Sequence, residues 1–341
     1  MAKVRKQSGL HHPVSVYAKQ VAYGKLHDMC CPYEIKACER HLRDLKRQGT
    51  KEFPYVFDTT RADRIIEWFS QCIQLRGVEQ GKPLTLQPWQ IFDLGCLYGW
   101  VDMHDGTRRF RKAYNKRARG CFKSTEKSAQ CLYHMCADVL YPPYQPDLKQ
   151  FEMAPEVECA AVDRAQAMRV FGDAKAMALN SPNIAKRLII PKANPVKHRT
   201  RGGFMRALSK DTKNKDSGAP SYFIIDEYHA HPTSAIHDIG ENSFGKRAQC
   251  LMDIITTAGD DAQSKPCFAE EQFAKDILDG NAVDETYFVM IRELPDGANP
   301  HDESLWCMPY PCFRYPNDYS KYLLKEVPVS YTHLRAHETD S

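Results

Sequence analysis

Residues Lys116–Lys127 read KRARGCFKSTEK, and the reading of this stretch decides the fold. A phosphate-binding loop sets backbone N–H groups and a lysine at the start of a helix, with glycine where the backbone comes closest to the ligand. Gly120 supplies one flexible position here, but the place just before Lys123 holds Phe122. If the loop binds phosphate, RRFRKAYNKRAR before it must be a strand and STEKSAQCLYHMCADVLY after it a helix. That strand is unusually polar for a buried one. The bland reading is a basic turn that happens to end in Lys-Ser-Thr.

The segments on either side fit a sheet wrapped by helices. DTTRADRIIEWFSQCIQL has apolar residues at helical spacing behind an N-cap at Asp58 or Thr59, and Pro88 can open a second helix through Trp89 and Phe92. Beyond the loop, VECAAVD predicts a strand and RAQAMRVFGDAKAMAL a helix. Pro191–Pro220 is a polar, basic loop broken by a short strand at GFMRALS, and SYFIIDEYHA and CLMDIITTAG are buried strands. Strands alternating with helices predict a mostly parallel sheet covered on both faces.

In such sheets the strand ends meet in one crevice. Lys123 would neutralise outer phosphates there, and the Ser124 hydroxyl would sit on magnesium. Asp226 would hold that ion through water, and Glu227 would polarise an attacking water as general base. Thr256, Thr257, Ala258 and Gly259, at a neighbouring strand end, would sense the terminal phosphate. Each piece alone has a plain structural reading: a core strand with acids at its exposed end, or a strand closed by a turn at Gly259.

Composition bounds the rest. The 341 residues suffice for one large domain and a smaller one, and 43% apolar with 26% charged residues is a globular balance. No run of eighteen apolar residues is present, which argues against a membrane span, and MAKVRKQSGLHHPVSV lacks a signal core. The thirteen cysteines then read as free thiols. The looser clusters Cys30, Cys31, Cys38, His41 and Cys131, His134, Cys136 lack paired C-x-x-C knuckles for zinc. Net charge is +4, unevenly placed: eight Lys or Arg without an acid over 106–123, and ten against the single Asp211 over 186–215. These runs are either solvated faces or contacts for a polyanion.

Taken in order, the segments resemble the large terminase subunit of tailed bacteriophages, over nearly all of residues 20–325. LTLQPWQ with LYGW resembles the adenine-side motif, RARGCFKS the variant Walker A, FIIDEYHAH the Walker B and TTAG the coupling motif; AAVDRAQA and DETYFVMIRELPDG through DESLW resemble connecting segments. The resemblance implies an α/β RecA-like ATPase core of the additional-strand P-loop kind, its mostly parallel sheet flanked by helices, with a helical N-terminal lead-in. It implies ATP and Mg2+ as ligands, with nucleotide contacts from Gln90 (reading the base), Arg119, Gly120, Cys121, Phe122, Lys123, Ser124 and Thr125. Arg119, four residues before the lysine, takes the place of the family's cis arginine finger. Magnesium would be held by Ser124 and Asp226, and Glu227, Arg119 and Lys123 would carry the catalysis. The implied partners are double-stranded DNA, a portal protein and a terminase small subunit, with a homo-oligomeric ring forming at the procapsid portal in the host cytoplasm. Lys197, Arg199, Arg201 and Lys210 are the candidate DNA-facing residues.

Phe122 departs from this pattern, because glycine there permits positive φ and a close approach of backbone to phosphate. Either the loop tolerates the ring or the chain is a DNA-binding relic with a closed nucleotide site. A superfamily 2 helicase would need a second RecA-like domain for which these residues leave no room, and a nuclease would need an acidic cluster that they lack. The expected organisation is a helical region over 1–80, the ATPase domain over 81–285, and a linker with the start of an RNase H-like nuclease domain over 286–327. VSYTHLRAHET (Val329–Thr339) is what a common transposon-based sequencing adapter encodes in frame. Residues 328–341 are therefore expected to be an artefact, with the natural gene cut short before them.

Overall fold

Two helices lead the chain in the computed structural model, which describes residues 9–323 apart from 163, 194, 209–217, 258–264, 319 and 322. Helix α1 (Pro13–Tyr23) and α2 (Pro32–Arg47) each start on proline, whose missing N–H costs nothing in a first turn. Strand β1 (Tyr55–Phe57) precedes α3 (Thr59–Phe69), and the Asp58 carboxylate caps that helix, accepting from the Thr60 N–H at 2.9 Å. Helix α4 (Pro88–Gly99) opens with a reciprocal capping box between Gln87 and Gln90, and β2 (Trp100–Asp102) returns antiparallel to β1. Gly95 lets α1 lie against α4, since a Cβ there would fall 2.3 Å from Val14 Cγ2. Val14, Ile65 and Phe92 join the same buried cluster as Ala113, Leu132 and Ile255 further along the chain.

The central sheet begins with β3 (Lys112–Lys116), followed by α5 (Lys123–Cys136) and a small antiparallel pair, β4 (Val139–Leu140) with β5 (Gln150–Phe151). Then come β6 (Glu156–Ala160), α6 (Arg164–Asn180), α7 (Pro182–Ala185), β7 (Leu188–Ile189), β8 (Val196–His198) and β9 (Phe204–Ala207). The chain continues with β10 (Tyr222–Ile225), α8 (Ala235–Asn242), β11 (Leu251–Thr256), α9 (Lys265–Asp279) and β12 (Tyr287–Ile291). The strand order is β12-β3-β11-β10-β6-β9-β8-β7, parallel from β12 to β9 and antiparallel at β8 and β7. Strand β11 thus stands between the loop-bearing β3 and the acid-bearing β10. This is the additional-strand arrangement of a RecA-like sheet, with helices flanking it. Residues Lys210, Ala258 and Gly259 and the whole of 328–341 lie outside the described residues.

The polar strand finds its answer in period-two geometry. Lys112, Tyr114 and Lys116 share one face of β3. Lys112 Nζ lies 2.8 Å from both Glu241 and Glu270, and Lys116 Nζ lies 2.8 Å from Glu271 and 2.7 Å from Glu293. On the other face Ala113 joins the core and Asn115 donates to Asp253 at 2.8 Å. Arg108 pairs with Asp138 and Arg109 with Asp44 and Glu285. The strand part of the first basic run, Arg108 to Lys116, is therefore neither a solvated face nor a polyanion contact; most of it is buried against acids distant in sequence. Buried cations persist only when so paired.

Candidate active site

Helix α5 starts at Lys123, so its unsatisfied N–H groups point out of the loop at the end of β3. Phe122 is the N-cap, in the left-handed region at φ 55° and ψ 14°, and Gly120 has φ 81°. The position does demand the backbone that glycine gives freely, and phenylalanine holds it at a cost of ~1–2 kcal/mol. Lys123 Nζ donates to the carbonyl oxygens of Arg117 (2.9 Å) and Ala118 (3.1 Å). Burial pushes its ammonium down to about 8 against the pull of the Glu227 carboxylate.

Arg119, Gly120, Phe122, Lys123, Ser124, Thr125 and Glu227 all line one cavity of about 620 Å³. Arg119 is exposed there, and among the described residues its guanidinium has no hydrogen bond or ion pair. Arg76, Arg169, Asp173 and His229 are among its other walls, with Arg76 and Asp173 paired at 2.7 Å. A second, more apolar cavity of about 330 Å³ adjoins it, lined by Phe69, Leu84, Leu86, Gln87, Gln90 and Phe122 among others. Gln90 reaches that cavity with its amide already engaged: Oε1 accepts from the Gln87 N–H at 3.0 Å and Nε2 approaches Glu126 at 3.5 Å.

Other candidates lie elsewhere. Cys121 turns away from both cavities into a buried cluster with Trp306, Tyr310 and Cys312, its thiol against the Pro309 carbonyl. Arg199 and Arg201 stand at the far edge of the sheet, beside β8. The Arg201 guanidinium donates to the carbonyls of Glu152 and Met135, and that of Arg199 to Lys186 and Leu188, while Lys197 is exposed.

At the end of β10, Asp226 is buried and accepts the Glu227 N–H at 2.9 Å. Burial, then the neighbouring Glu227 carboxylate, raises its carboxyl to about 6. Glu227 itself takes φ 51°, and its Oε2 is buried without a hydrogen bond, 3.3 Å from His229 Nδ1. The His229 ring also meets Thr256 Oγ1 at 3.0 Å, and Thr257 Oγ1 lies 3.5 Å away. Burial pushes the imidazole down against the pull of the Glu227 carboxylate, with the Lys123 and Arg119 cations adding to the fall. His229 Nδ1 therefore lies between the glutamate of β10 and the hydroxyls of β11, hydrogen-bonded to the latter. Nothing in its spacing singled it out, because the contact spans two strands.

A carboxyl raised in the folded state takes up a proton that the unfolded chain, near 3.8, has already lost. Its contribution to stability therefore declines as pH rises from about 4 through 6, and the full cost of the buried charge remains above that. Asp226→Asn is expected to be more stable than wild type in urea by roughly 1–3 kcal/mol near pH 8, the gap shrinking near pH 5. An equal gap at both pH values, or a less stable variant, would count against this reading.

A chain of buried charges runs behind the loop. Arg117, on the loop's N-terminal side, makes a two-pronged bond to Glu126 (2.8 and 2.7 Å) and lies 3.5 Å from Asp93. Asp93 receives both terminal nitrogens of Arg292, whose Nε donates to Glu34 at 2.8 Å. Glu34 also accepts from Arg314 and from the Tyr17 hydroxyl. Burial alone would raise the Glu34 carboxyl, but Arg292 and Arg314 overcome it and hold it far below the carboxylate range. The start of α2, the middle of α4 and the ends of β12 and the phosphate-loop strand are thus tied together.

A magnesium ion fits the donors present. No group of three or more His, Cys, Asp or Glu gathers as a metal cage among the described residues. Magnesium rarely uses one, taking one or two carboxylates and completing its octahedron with phosphate and water. Ser124 and Asp226 are the donors such an ion would take, and it would relieve the cost of charge on the buried Asp226.

The family described as "Terminase large subunit, ATPase domain" matches residues 88–276, more than half of the chain. The chain belongs to this family. The match opens on Pro88, the first residue of α4, and closes within α9. The terminase fold is visible too: the crystal structure of the HK97 bacteriophage large terminase aligns with a TM-score of 0.61 at 18% identity, over 80% of this chain and 52% of that one. Protein YmfN of Escherichia coli (strain K12) is 31% identical over 88 residues, 26% of this chain and 19% of its own length. This terminase chain therefore spans about half of the HK97 protein and about a fifth of YmfN.

Proposed function

We propose that the chain is the ATP-hydrolysing part of a motor that drives double-stranded phage DNA into procapsids. The observation that supports this most is the convergence of Arg119, Lys123, Ser124 and Glu227 on one cavity at the C-terminal ends of parallel strands. Lys123 leaves its loop carbonyls to neutralise the outer phosphates of ATP, and Arg119 neutralises charge that develops on the γ-phosphate. Glu227 orients and polarises the attacking water. Ser124 and Asp226 would hold magnesium, which when bound screens the phosphate charge. Thr256 and Thr257, which meet His229 beside Glu227, carry the phosphate state toward the elements that grip DNA. That grip needs charge more than base readout; Lys197 and its neighbours are the proposed contacts. Portal, small subunit and a ring of copies are the proposed partners, at the procapsid in the host cytoplasm. Nuclease chemistry is not assigned to these residues.

The test is calorimetry of ATP with magnesium on the full chain, beside Lys123→Ala, with DNA-stimulated phosphate release measured on the same samples. Binding by the wild type and its loss in the variant, roughly 10²-fold or more, is the expected result. A folded wild type that binds no nucleotide would leave the competing reading, a DNA-binding relic whose site Phe122 has closed.

A further inference from the structure

Phe122 stands where a phosphate-binding loop carries glycine before its lysine, and it lines both cavities. On one side stand Lys123, Ser124 and Glu227; on the other the apolar walls of Phe69, Leu84 and Leu86. The backbone at φ 55° fixes where its Cβ points, and its carbonyl is committed to α5, accepting the Glu126 N–H at 2.9 Å. The ring packs on the core but stays only half-buried.

We propose that Phe122 is a nucleotide-contact residue, its ring forming the wall between the phosphate cavity and the apolar cavity and packing on the base–ribose part of a bound nucleoside triphosphate. This rests on the nucleotide reading above. A triphosphate anchored at Lys123 places its nucleoside beyond the loop, toward the apolar cavity, and must pass the ring. An aromatic face suits a purine because stacking needs no particular hydrogen-bond pattern. The phenyl group then replaces, by contact with the base, what the loop gives up in ease of backbone approach.

The experiment compares magnesium complexes of ATP and of inorganic tripolyphosphate, titrated calorimetrically into wild type, Phe122→Gly and Phe122→Tyr. Glycine suits the left-handed backbone, so that variant keeps its fold. Phe122→Gly is expected to lose roughly tenfold in ATP affinity while binding tripolyphosphate as the wild type does, and Phe122→Tyr to stay within about twofold for both. ATP binding in Phe122→Gly as tight as wild type, or tighter, would show that the ring only obstructs. An equal loss for both ligands would place its effect in the loop backbone; either result overturns the proposal. The parent reading is reported separately by tripolyphosphate binding to the wild type and its loss in Lys123→Ala. A wild type that takes neither ligand overturns both.

Discussion

Glu227→Gln is expected to lower ATP turnover by roughly 10²–10⁴-fold while nucleotide affinity stays within a few-fold of wild type. The carboxylate stands at the cavity wall with Oε2 buried and without a hydrogen-bond partner. An acceptor left so is costly in a resting protein; the rest of the carboxylate is open to the cavity, the side chain being 31% exposed, and that part is what an attacking water can reach. Glutamine keeps the shape and can still face His229, but it cannot take a proton. Single-turnover phosphate release, with binding measured in parallel, separates the two effects. A loss of affinity that matches the loss of rate would mean that Glu227 holds the ligand and does not activate water.

Arg292→Met should cost the folded chain about 3–5 kcal/mol, the usual penalty for removing one partner of a buried ion pair. Arg292 is fully enclosed and serves two carboxylates, Asp93 and Glu34, neither of which can reach water. Methionine fills much of the volume but leaves both acids short of a cation. Part of the loss should return in the double variant with Asp93→Asn, because the orphaned charge goes with it. Urea unfolding with a common slope measures this directly. A loss under 1 kcal/mol would show that water reaches the carboxylates. Since Asp93 also faces Arg117, the single variant is further expected to weaken nucleotide binding.

What could be read in the sequence was local. Asp58 before a helix, Pro88 opening another, and Asp226–Glu227 closing an apolar strand each carry their cause within a few residues. The family's order of segments could be followed for the same reason. The basic run over 106–123 could not be read: its partners Glu241, Glu270, Glu271 and Glu293 lie far along the chain, and only the sheet brings them to β3. Arg117 and Glu126, nine residues apart across the loop, form a buried pair that no local pattern announces. His229 had no periodicity to betray it, since it works across strands. Gln90 stood out by motif, but its capping role needed the helix geometry.

The cysteines offer a use of their own. Burial pushes the thiols of Cys96 and Cys136 up to about 12, and nearly all the others are enclosed as well. A thiol-reactive dye can label such groups only during a local or global opening, so each labelling rate reports the opening free energy of its own segment. Cys307, the one partly exposed thiol, gives the fastest of these rates for comparison. Cys131 reports on α5, Cys159 on β6, and Cys121 on the loop beside the proposed phosphate site. A ligand that settles that loop will slow the modification of Cys121 before it slows the others, so the unmodified chain carries its own occupancy probe.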